Sequence, residues 1–98
     1  PESTEAMPPK PMLHLLDGVH EAAAVGTIFP DDAGTPRLHM HAALGREGET
    51  RTGCIRPGVT TWVIGEVVIV EVVGSDMVRT TDPDTGFSLL QNLRRSPK

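Results

Sequence analysis

Between residues 37 and 44, Leu38, Met40, Ala42 and Leu44 alternate with Arg37, His39, His41 and Ala43. A period of two is that of a half-buried strand. Residues 45–48 carry a turn signal, so residues 49–56 are expected to fold back as the second arm of a hairpin. The longest apolar run, residues 60–73, is dominated by Val and Ile. Such β-branched side chains lose rotamer freedom in a helix, and the run predicts a long strand. Both of its faces are apolar, so it needs a covering layer, either a helix or a neighbouring subunit. The chain contains no clear amphipathic helix pattern, which selects the subunit.

The remaining stretches are read by the same rules. Residues 1–11, rich in Pro and charge, form a disordered or extended lead-in. Residues 12–16 are a short apolar run, read as a strand closed by Asp17 and Gly18. Residues 19–29 mix alanines with Val25, Thr27, Ile28 and Phe29, and Gly26 within the run tips it toward a strand with a bulge. Residues 30–36 are a loop, 77–81 a strand and 82–86 a turn, with Asp82 and Asp84 flanking Pro83 as turn formers rather than chemistry. Residues 87–93 pack back as strand or short helix, and 94–98 are a basic frayed tail. One domain, residues 12–93, is expected.

Composition narrows the class. The chain has 98 residues, 38% of them hydrophobic, enough for one modest core. Its aromatics are Trp62, Phe29 and Phe87, so the core must rest on aliphatic side chains, and an oligomer interface would add to it. A net charge of −4 argues against a phosphate-binding surface. Cys54 is the single cysteine, which rules out an internal disulfide and fits a reducing, cytoplasmic setting. No apolar run reaches the roughly 18 residues of a membrane helix, and the start lacks the apolar core of a signal peptide. The first residue is Pro1 rather than Met, as in a fragment or a processed product.

Candidate chemistry gathers in the hairpin. If residues whose numbers sum to about 95 lie opposite each other, Cys54 faces His41 at roughly 5 Å and Arg56 lies near His39. Two imidazoles on one strand face and a thiol opposite suit zinc best. The bland alternative is a polar strand face with an unrelated thiol. Arg56 is either a bidentate holder of an anionic ligand or a surface cation. Among the other polar residues, His14 and His20 read as structural. Glu66 reads as a partner for Arg56 or Arg79 rather than a general base. Cys54 alone would be a redox thiol with no second cysteine to resolve it.

Several segments together resemble the plants and prokaryotes conserved (PPC) domain, over about residues 12 to 93. They are Gly26-Thr27-Ile28-Phe29, Gly34-Thr35-Pro36-Arg37-Leu38-His39-Met40-His41, Gly53-Cys54-Ile55, Glu66-Val67-Val68-Ile69, and Arg79 with Asp82, Thr85 and Gly86. The resemblance implies an α/β (α+β) domain built on a mainly antiparallel sheet and assembled into trimers, this chain being predominantly β. Bacterial and archaeal members hold zinc on the two His of H-x-H and a third His from a following G-G-H. Here Cys54, after Thr52 and Gly53, stands at the third position. The strand and helix that usually open the family's fold have no counterpart. Plant members bind DNA through separate AT-hook segments with an R-G-R-P core, which this chain lacks.

Three functions follow from these readings. The first is a trimeric, non-enzymatic metal-binding module for a small anionic ligand or a protein partner. The second is a zinc enzyme using an open fourth position, with Glu66 or Glu71 as base. The third is a DNA-associated regulator, which the charge opposes.

Overall fold

β1 (Glu21–Pro30), β2 (Pro36–Arg46) and β3 (Glu49–Cys54) form a three-stranded sheet with β2 in the centre. A second, two-stranded sheet pairs β4 (Met77–Thr81) with β5 (Ser88–Asn92). This is a computed structural model, and it describes residues 3–92. Among the described residues the chain is all β, without a helix. The expected basic tail, residues 94–98, lies outside them. Contacts group the chain into two units, one holding residues 18–28 and 38–75, the other the remainder.

In the first unit the alternation of β2 sets the sheet's inner face. Ala42 is buried at 4% exposure, with Met40 and Leu44 half-buried beside it. β2 and β3 are antiparallel, with pairs running from Arg46 opposite Glu49 to His41 opposite Cys54. The turn between them is shorter than the 45–48 segment expected. Only Glu47 (φ 55°) and Gly48 (φ 79°) lie outside the ladder. Two successive positive φ values make a type I′ turn, whose twist matches that of the flanking strands. Beside this turn, Arg46 Nη1 donates to the Val19 carbonyl at 2.8 Å and anchors the entry to β1.

The second unit is organised by two aspartate-centred turns. In the turn after β1, Asp31 Oδ1 accepts from the Ala33 and Thr35 amides, both at 2.9 Å, and Oδ2 accepts from Arg37 Nε at 2.9 Å. Asp31 also makes a parallel bridge with Arg79 of β4. In the turn between β4 and β5, Asp82 Oδ2 accepts from the Thr85 amide (3.0 Å) and hydroxyl (2.6 Å). The backbone closes the same turn, with Gly86 N donating to Asp82 O and Asp82 N to Phe87 O, each at 2.8 Å. The expected loop at 30–36, strand at 77–81 and turn at 82–86 are all present, and the segment expected as strand or short helix is strand over Ser88–Asn92, residue 93 lying outside the described residues.

Two expected strands do not form. Residues 12–16 have no regular structure and are largely exposed. Residues 60–73, expected as a long strand, also lie outside any ladder, and their side chains are exposed throughout. β-propensity describes how a side chain suits a pleated, half-covered surface, and it cannot supply the partner strand that makes the ladder. Glu66 is correspondingly exposed within this segment, and no ion pair joins it to Arg56.

Candidate metal centre

His39 and His41 are two residues apart on β2, so the pleat projects both imidazoles from one face. Their Nε2 atoms approach to 3.0 Å, and the ring centroids are 5.0 Å apart with a 55° tilt. The β2–β3 register sets Cys54 directly opposite His41, where Cys54 Sγ lies 3.3 Å from His41 Nε2 and 3.5 Å from Nδ1. One ligand atom from each of the three residues falls within 4.8 Å of the other two. His39 is half-buried, while His41 and Cys54 are exposed.

These spacings can be tested against metal geometry. A tetrahedral zinc with ordinary Zn–N and Zn–S bonds sets two nitrogens about 3.3 Å apart and nitrogen and sulfur about 3.6 Å apart. The observed 3.0 and 3.3 Å are each shorter by a few tenths of an ångström, within reach of a small rotation of the rings. The donor set is one that suits zinc, and two of the three spacings approach those of a tetrahedral site, all three ligand atoms lying within 4.8 Å of one another. Without a metal, the same contacts serve as weak hydrogen bonds among the three side chains.

Backbone packing from β1 keeps His39 in place. A Cβ built on Gly26 would meet the His39 carbonyl oxygen at 2.7 Å and Met40 Cβ at 3.0 Å. Glycine is thus what allows β1 to approach the histidine-bearing strand so closely. The sequence had suggested a bulge here. The signal was the glycine itself, and its role follows only from knowing which strand lies alongside. Ala23, Ala24, Val25, Ala43 and Thr52 line an open hollow against His41 and Ala42, and their small size leaves the imidazole accessible.

The other candidates are not among the three clustered donors. Pairing continues one residue past β3, with Ile55 N donating to Met40 O at 3.0 Å. Arg56 follows directly, outside the ladder and exposed. His20 is half-buried, and its Nδ1 lies 3.0 Å from the Gly18 carbonyl, the local structural role expected of it. His14 is exposed rather than set among apolar side chains.

The family model for the Plants and Prokaryotes Conserved (PCC) domain matches residues 2–73. The chain belongs to that family. The match takes in β1, β2, β3, the three clustered side chains and the exposed apolar segment. It begins earlier than the resemblance read from the motifs and ends before β4, so Arg79, Asp82, Thr85 and Gly86 of this PCC chain lie beyond it. No curated protein and no solved structure matched. No helix among the described residues is long and apolar enough to cross a membrane.

Proposed function

We propose that this PCC domain is a small metal-binding module that holds zinc on His39, His41 and Cys54, works by binding rather than catalysis, and assembles as a trimer. The observation that supports the metal assignment is the convergence of two imidazole nitrogens and a thiol within 4.8 Å of one another, with His41 3.0 Å from His39 and 3.3 Å from Cys54. Three protein ligands leave a fourth position for water or a ligand atom. Bound there, zinc would supply Lewis acidity and a fixed positive charge. Arg56, following Cys54 by two residues, adds a cation that favours an anionic ligand such as a carboxylate. A hydrolytic centre would further need a base within hydrogen-bond reach of the metal-bound position. The carboxylates considered for that role, Glu66 and Glu71, lie exposed in the irregular segment after β3, which favours binding over catalysis. The net charge of −4 likewise speaks against direct contact with DNA phosphates.

The test is elemental analysis of the protein purified without chelator, in wild type and in His39→Ala, His41→Ala and Cys54→Ala. The expected result is about one zinc per wild-type chain, with loss in each variant. Retention by Cys54→Ala alone would move the third ligand elsewhere. A metal-free wild type unable to take up added zinc would sink the assignment.

A further inference from the structure

We propose that Cys54 makes this centre oxidation-sensitive: a hydroperoxide that oxidises its thiolate ejects the metal. The inference rests on the zinc reading above and adds its regulation. Cys54 is exposed, it is the chain's single cysteine, and it lies at the end of β3 with Sγ 3.3 Å from His41 Nε2. Of the three clustered donors, only the sulfur is oxidised under mild conditions, since imidazole nitrogens are not. Coordination would hold it as the thiolate, the form that reacts with peroxide.

The step is a two-electron oxidation. A sulfur lone pair attacks one peroxide oxygen, the S–O bond forms, the O–O bond breaks, and hydroxide leaves to be protonated to water. Sulfur loses two electrons and the peroxide gains them. The product at Cys54 is a sulfenic acid, a much poorer zinc ligand than a thiolate. His39 and His41 then remain as two neutral donors, too few for a stable site. With no second cysteine in the chain, the sulfenic acid cannot close an internal disulfide. It condenses with an external thiol, losing water, and a further thiol then restores Cys54 and its metal affinity.

The experiment uses zinc-loaded wild type and Cys54→His, which keeps three nitrogen donors but no oxidisable sulfur. Hydrogen peroxide is added at a few equivalents. Zinc release is followed with a chromogenic chelator, and oxygen gain on the Cys54 peptide by mass spectrometry. Wild type is expected to lose its zinc in step with addition of one oxygen to that peptide, and to rebind zinc after dithiothreitol. Cys54→His is expected to keep its zinc under the same treatment. Wild type that retains zinc while Cys54 is oxidised would overturn the proposal, as would release from Cys54→His at the wild-type rate. The wild-type correlation decides by itself whether or not the variant loads. A wild type that takes up no zinc before peroxide is added overturns the metal centre itself, a different failure from an oxidation-resistant one.

Discussion

The histidine-bearing strand is only as well placed as the backbone beside it, and here a single hydrogen atom sets that distance. Gly26 packs so closely on His39 and Met40 that an alanine methyl would fall 2.7 Å from a carbonyl oxygen. Backbone cannot rotate away as a long side chain can, so Gly26→Ala should cost about 1–3 kcal/mol. It should also displace His39 and weaken zinc binding. Gly53→Ala is the matched control, adjacent to Cys54 but with nothing within 4 Å of the new methyl. Thermal melts and zinc titrations of the two variants should separate them, and equal behaviour would mean that β1 yields freely. At this scale the site was legible in the sequence, since the i and i+2 histidines and the thiol returning by a hairpin are local facts. Gly26 was not, because its constraint comes from a strand more than ten residues away.

At the scale of elements, short loops with defined chemistry decide what forms. Asp31 and Asp82 each turn a carboxylate onto the amides of their own loop, and both carboxyls lie below the ordinary aspartate value of 3.8. For Asp31 the largest cause is the Thr35 amide, followed by the Arg37 guanidinium; for Asp82 it is the Thr85 hydroxyl, followed by the Thr85 amide. A folded pKa below the unfolded one means that the charged form stabilises the fold. That stabilisation is complete above the unfolded value and is lost as pH falls through the depressed one. Acid denaturation followed by circular dichroism should therefore set in below about pH 4. Asp82→Asn should start less stable at neutral pH and show a shallower acid limb, because the amide oxygen still accepts but no longer titrates. An unchanged limb would show that these turns do not contribute to acid unfolding. Strands bounded by such turns, 77–81 above all, could be read from the sequence. Residues 12–16 and 60–73 could not, since their apolar, β-branched content describes a surface awaiting a neighbour and does not name one.

That unmet surface is the main fact at the scale of the whole molecule. Val59, Trp62, Val63, Ile64, Val67, Val68, Ile69, Val70, Val72 and Val73 are each at least 61% exposed, while Ala42 is the one hydrophobic residue among those described that is fully part of a core. Each such side chain is worth roughly 1.5–3 kcal/mol when buried, so a run of ten represents a large unused driving force for association. We expect the chains to assemble, as trimers, with this segment at the interface. Val68 offers a clean discrimination because it is 92% exposed in the single chain. If the chain works alone, Val68→Asp replaces one solvent-facing side chain by another, and its effect should stay within about 0.5 kcal/mol. If the segment lies in an interface, the same change buries an unpaired carboxylate, which costs several kcal/mol and should dissociate or unfold the assembly. Light scattering at micromolar concentration should give wild type a mass near three times the 10.5 kDa of one chain, and Val68→Asp a smaller mass or an unfolded spectrum. A wild-type mass of a single chain, with Val68→Asp equally stable, would remove the assembly and leave residues 59–73 to some other cover.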